Sequence, residues 1–148
     1  MGRINYLTEM ESLFLALSDK TRLRILNLMR GGEVCVNSFT EILGESQPKI
    51  SRHLAYLKTA GIVFARREGK WVYYKIDMPK TLFAENILRQ TLIWLENQQD
   101  LREDYRKLNK IDSSFNNSET NFQETPPDIY ASSDIKPSAK EELEIFLL

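Results

Sequence analysis

A mainly α-helical domain with one small β-hairpin is the fold class this sequence predicts, and three observations predict it. Apolar residues recur at helical spacing through roughly residues 5–60, in four segments separated by capping residues and glycines. Two runs of β-branched and aromatic residues between 62 and 76 flank a basic loop that contains Gly69. Helical spacing then returns from Leu82 to Leu101.

Each element follows from its own residues. Leu7, Met10, Phe14 and Leu17 predict a first helix over roughly 5–17. Ser18-Asp19 ends it and caps a second, which carries Leu23, Ile25, Leu26, Leu28 and Met29 and stops at Gly31-Gly32. A short third helix starts near Asn37-Ser38, buries Phe39, Ile42 and Leu43, and ends at Gly44. Ser46 caps a fourth, which tolerates Pro48 in its first turn and is closed by Gly61. Ile62-Val63-Phe64-Ala65-Arg66 and Trp71-Val72-Tyr73-Tyr74-Lys75-Ile76 read as strands joined by Arg67-Glu68-Gly69-Lys70. Asp77-Met78-Pro79 breaks the second strand and begins a long helix to about 109, with Leu82, Phe83, Ile87, Leu88, Leu92, Leu95 and Leu101 as its apolar positions.

Beyond Ile111 the apolar residues stand singly among Ser, Asn, Pro and acidic residues. The expected division is a mainly helical domain with its hairpin at 1–110 and an acidic tail at 111–148, flexible or loosely docked. The last eight residues, Glu141 to Leu148, are apolar enough to form a turn or two of helix if a groove receives them.

Charge sharpens this division. Residues 1–111 hold 18 Lys/Arg against 13 Asp/Glu, whereas 112–148 hold two against eight. Residues 46–75 carry seven basic residues against Glu68 alone, a net of +6, which marks a polyanion-facing surface. The tail's opposite sign allows it to compete with phosphate for that surface. No apolar run approaches the roughly 20 residues a bilayer needs, Met1 to Tyr6 lacks the apolar stretch of a signal peptide, and a single cysteine forms no internal disulfide. A cytoplasmic protein without membrane contact is therefore expected.

Two short helices separated by Gly44-Glu45-Ser46 and followed by a basic hairpin form a helix-turn-helix with a wing. On the fourth helix Ile50, Leu54 and Leu57 make one apolar seam. Opposite lie Pro48, Ser51, Arg52 and Ala55, with Gln47 and Tyr56 at the margins. Small residues let a helix approach the floor of the major groove, where an arginine grips a guanine edge in two places. The candidate DNA-binding residues are Gln47, Pro48, Lys49, Ser51, Arg52, His53, Tyr56 and Lys58 on the helix and Arg66, Arg67 and Lys70 on the wing. Trp71, Tyr73 and Tyr74 suit sheet packing better than base stacking. The function expected is sequence-specific binding of a double-stranded DNA operator as a transcriptional regulator. The alternative is a winged-helix protein-interaction module, which has no need of basic residues on both helix and wing. No Cys–His or Ser–His pair, phosphate loop or metal cluster points to an enzyme.

Three ordered motifs carry a resemblance to a known family. The run from Leu17 through Ser18-Asp19-Lys20-Thr21-Arg22 to Leu26 resembles the second-helix signature of the ArsR/SmtB family of regulators. Ser46 to Leu54 resembles its recognition helix, and Glu68-Gly69-Lys70-Trp71-Val72-Tyr73-Tyr74 its wing. The match spans about residues 5–100. It implies a homodimer joined through the first and last helices, and a repressor that an inducer, here unknown, releases from its operator. A two-fold dimer would place two reading helices about 34 Å apart, one turn of DNA.

Arsenite- and cadmium-sensing members resemble one another in a Cys-Val-Cys-Asp motif at the third helix. Here Cys35 is followed by Asn37 and Ser38 where the second cysteine and the aspartate would stand. Soft-metal sites need several thiolates or imidazoles, so no metal and no cofactor is expected. Cys35 is then a packed thiol, with a thiol-reactive sensor or a metal ligand as weaker alternatives. Zinc-sensing members place His and carboxylate pairs on the last helix, where this chain has no His; its one histidine is His53.

Overall fold

The computed structural model describes residue 3 and residues 5–118. The elements in chain order are α1 (Tyr6–Leu17), α2 (Lys20–Met29), β1 (Val34–Cys35), α3 (Val36–Leu43), α4 (Gln47–Thr59), β2 (Val63–Glu68), β3 (Trp71–Ile76), α5 (Leu82–Glu96) and α6 (Gln99–Ser118). The expected caps are in place. The side chain of Asn5 accepts from the N–H of Thr8 at 3.3 Å, Asp19 from Arg22 at 2.9 Å and Ser46 from Lys49 at 3.4 Å. Each satisfies one of the N–H groups that a helix start leaves without an internal partner. Gly44 ends α3 in the left-handed conformation that a Cβ would strain.

The core lies between the helices and one face of the hairpin. Ile25, Leu26 and Leu28 of α2, Phe39 of α3, Ile50, Leu54 and Leu57 of α4, and Leu88 and Leu95 of α5 are completely buried. Burying one such aliphatic side chain contributes about 1.5–3 kcal/mol, and this shared centre fixes how α4 sits on α2 and α3.

Three features differ from the sequence expectation. A third strand, β1, pairs antiparallel with β3 (Val34 opposite Tyr74, Cys35 opposite Tyr73), giving the sheet order β1-β3-β2. Two residues have no strand signal of their own; the open edge of β3 creates the strand. The hairpin is also tighter than the loop Arg67 to Lys70. Arg67 pairs with Val72 and Glu68 with Trp71, which leaves Gly69-Lys70 as a two-residue turn with Gly69 at φ 57°.

The single helix expected from 79 to about 109 is two helices. Asn97 and Gln98 break it by turning their side-chain amides onto the carbonyls of Ile93 (2.9 Å) and Trp94 (3.1 Å). Beyond that break α6 packs along α2 and α3. Leu108 is buried, and Leu101, Tyr105 and Ile111 pack against the core. The helix continues to Ser118, so residues 111–118 of the expected tail belong to α6. The rest of the tail, with its expected looseness, its competition for the basic surface and the docking of Glu141 to Leu148, lies outside the described residues.

Candidate nucleic-acid interface

The turn Gly44-Glu45-Ser46 carries α4 across α3, and their joint packing leaves α4 with two unlike sides. Ile50, Leu54 and Leu57 face inward at zero exposure. Pro48, Lys49, Arg52 and Lys58 are exposed, while Gln47, Ser51, Ala55 and Tyr56 are half-exposed around them. Lys49 donates to the carboxylate of Glu45 at 2.9 Å, one turn earlier. Arg52 makes no hydrogen bond or ion pair among the described residues, so its whole fork of donors faces outward.

His53 is a correction. Sequence position makes it a candidate contact, but the ring is 8% exposed and points inward. Its Nδ1 lies 3.5 Å from Nη1 of Arg22 and 3.7 Å from a carboxylate oxygen of Asp19. Burial, with help from the Arg22 charge, outweighs Asp19 and holds the imidazole below its ordinary pKa, so His53 is neutral at physiological pH. Arg22 is itself buried. It donates to the carbonyls of Ala16 and Leu15, both at 2.9 Å, and its guanidinium lies 4.3 Å from the centroid of the Tyr56 ring. Burial pushes the Asp19 carboxyl up, but the N–H of Arg22 and the neighbouring charges hold it below its usual value. Asp19, Arg22, His53 and Tyr56 thus form a polar brace from the start of α2 to the back of α4. Arg22 and Asp19 were visible as a motif and as a cap, but their role behind the reading helix depends on His53, 31 residues away from Arg22.

The charged residues of the wing are held in different ways. Arg66 donates to both carboxylate oxygens of Glu33 (2.9 and 3.0 Å to the nearer contacts) and to Glu68 at 2.8 Å, and its guanidinium covers the ring of Tyr73 at 4.8 Å. Those carboxylates raise its already high pKa. Arg66 therefore ties the wing to the segment before β1 while its side chain stays 42% exposed. Arg67 is exposed on the opposite side of the strand and bends onto the carbonyl of Gly69 at 3.3 Å, beside exposed Lys70. Tyr73 and Tyr74 are half-buried in the sheet, as sheet packing requires.

A helix-turn-helix whose second helix is apolar within and cationic without, followed by a hairpin with a basic turn, defines a winged-helix DNA-binding regulator. Comparison with known proteins narrows the class. The family model described as "bacterial regulatory protein, arsR family" matches residues 19–64. The arsenic resistance transcriptional regulator ArsR2 of Pseudomonas putida is 40% identical over 101 residues, which cover 68% of this chain and 86% of that protein. The arsenical resistance operon repressor of Escherichia coli is 39% identical over 65% of this chain and 81% of that protein. Among solved structures, HlyU of Vibrio cholerae superposes with a TM-score of 0.54 at 26% identity, covering 65% of this chain and all of that one. A winged helix-turn-helix domain of a possible ArsR-family regulator from Mycobacterium bovis, described as homodimeric, gives 0.50 at 29% identity over 63% and 87% of the two chains. The chain belongs to the ArsR family of transcriptional regulators, and it is a sequence-specific DNA-binding protein.

Proposed function

We propose that this chain is a cytoplasmic homodimeric repressor that reads its operator with Gln47, Pro48, Lys49, Ser51, Arg52 and Lys58, grips flanking phosphate with Arg67 and Lys70, and is released by an inducer; Tyr56, stacked under Arg22 behind α4, is set aside as a contact. The observation that carries the reading is Arg52, exposed and unpaired among the described residues on the outer side of a helix whose inner side is wholly buried. Dimerisation is supported by a second surface. Tyr6, Leu7, Phe14 and Leu15 of α1 and Leu82, Phe83, Ile93 and Trp94 of α5 are exposed apolar residues on neighbouring helices, more than a solvated face needs. The pairing helices are then α1 and α5; α6, the last helix, is committed to α2 and α3. Among the described residues no helix is long and apolar enough to cross a membrane.

The inducer is not a soft metal ion in this reading, although two relatives are named for arsenic. Cys35 is the one thiol in the chain, burial raises its pKa, and three ligands are not brought together among the described residues. No cofactor and no catalytic step are assigned. The test is binding of a duplex bearing the region upstream of the chain's own gene, followed by fluorescence anisotropy across a salt series, with a scrambled duplex as control. Tighter binding of the upstream duplex, a steep salt dependence and a dimer in sedimentation are the results expected. Equal affinity for both duplexes, or none, would remove the repressor assignment and favour a protein-interaction module.

A further inference from the structure

Where α5 turns into α6, a cleft of about 320 Å3 opens between Arg30, Glu96, Asn97, Arg102, Tyr105 and Arg106. That volume is at the small end of ligand sites. Three guanidinium groups line it against one carboxylate, a local net of +2. Arg30, at the end of α2, is held in place: it pairs with Glu96 at 3.2 Å, donates to Asn27 at 3.1 Å and lies 4.0 Å from the Tyr105 ring centroid. Gly31 makes the stack possible, because a Cβ there would collide with the Tyr105 hydroxyl.

Arg102 and Arg106 stand four residues apart on α6 and line the same wall. Arg102 uses Nε on the carbonyl of Glu96 at 3.2 Å, and Arg106 has no hydrogen bond or ion pair among the described residues. Like charges at this spacing repel, so the fold sets an unfavourable pair opposite a third fixed cation. An anion in the cleft would relieve all three. The cleft is remote from the brace behind α4, since Arg30 lies eight residues beyond Arg22, about 12 Å along α2.

We propose that this cleft binds a compact polyanion, a small molecule with at least two carboxylate or phosphate groups, bridging Arg30 of α2 to the Arg102–Arg106 pair of α6. As the chemical class of an inducer it rests on the reading that a small molecule acts on the chain; the binding event does not. The bound anion competes with Glu96 for Arg30. It thereby weakens the tie from α2 to α5, which carries the apolar surface offered to a second copy, and strengthens the tie from α2 to α6.

The experiment titrates the full-length protein with citrate and, separately, with inorganic pyrophosphate, by calorimetry at constant ionic strength with chloride as the balancing ion. Saturable binding of at least one, with one site per chain, is expected, and the two arms separate carboxylate from phosphate as the preferred chemistry. The double variant Arg102→Gln/Arg106→Gln should bind on the order of tenfold or more weakly, as loss of charge-assisted bonds requires. Arg106→Gln alone, which removes no contact of the fold, provides the comparison if the double variant does not fold. Absence of saturable binding by both anions, or equal affinity in the variants, overturns the proposal. So does a loss of duplex-DNA affinity in the variants with a shallower salt slope in anion-free buffer, which would assign these arginines to the DNA backbone. Saturable anion binding by a protein that fails to discriminate its upstream duplex would sink the repressor reading and leave the cleft standing.

Discussion

Replacing Arg52 with alanine isolates the reading surface from the fold. The side chain is exposed and has no hydrogen bond or ion pair within the described residues, so truncation takes no contact from the domain, and alanine is the better helix former. Thermal stability should stay within about 0.5 kcal/mol of the parent. A bidentate grip on a guanine edge discriminates by about 1–3 kcal/mol. A dimer carries the change twice, so the loss for the cognate duplex should be about 2–6 kcal/mol if the half-sites add. The lower end is already about thirtyfold in Kd. Arg67→Ala should behave differently. A phosphate contact carries no sequence information, so affinity should fall alike for cognate and scrambled duplexes, and the slope of log K against log salt should shrink by about 1.8 per dimer, about 0.9 for each contact. Arg66→Ala should leave that slope unchanged, because Glu33 and Glu68 already engage its guanidinium. Anisotropy titrations of the three variants over a salt series separate these outcomes. Unchanged cognate affinity in Arg52→Ala, with stability intact, would show that the outward side of α4 does not read DNA.

Three further outcomes follow from the packing. Arg24→Ala should free α6: it strips two hydrogen bonds of 2.8 and 3.0 Å from Asp104, whose side chain is 6% exposed. Leaving a buried carboxylate unpaired costs about 3–5 kcal/mol, discounted to about 2–3 because Arg24 is itself 37% exposed, and hydrogen exchange should accelerate in α6 before the core. His53 makes stability depend on pH. Its folded pKa lies below the ordinary 6.5, so the unfolded chain takes up the proton first; stability should be level above about pH 7.5 and fall as pH drops through 6.5, and His53→Gln should flatten that limb in denaturant titrations. Burial raises the Cys35 thiol above its ordinary 9.0, so alkylation by iodoacetamide at neutral pH should be slower than for a free thiol and should quicken only on unfolding; rapid native-state labelling would revive a thiol sensor.

Wherever the cause was local, the residues alone disclosed the result. The caps at Asp19 and Ser46, the glycine stop at Gly44, the buried seam Ile50-Leu54-Leu57 and the outward Arg52 follow from spacing and side-chain chemistry within one or two turns. Tertiary structure decided what depends on a partner distant in sequence. Helical periodicity gives His53 a position near the edge of the seam, but only the approach of Arg22 and Asp19 turns it inward. A basic wing reads as uniformly cationic until Glu33, 33 residues before Arg66, closes on it. Apolar spacing from 82 to 101 runs smoothly through Asn97-Gln98, and the break there is worthwhile only because α2 and α3 offer α6 a surface, with Asp104 meeting Arg24 across 80 residues. Periodicity records which side of an element is apolar; it holds no information about which other element will cover that side.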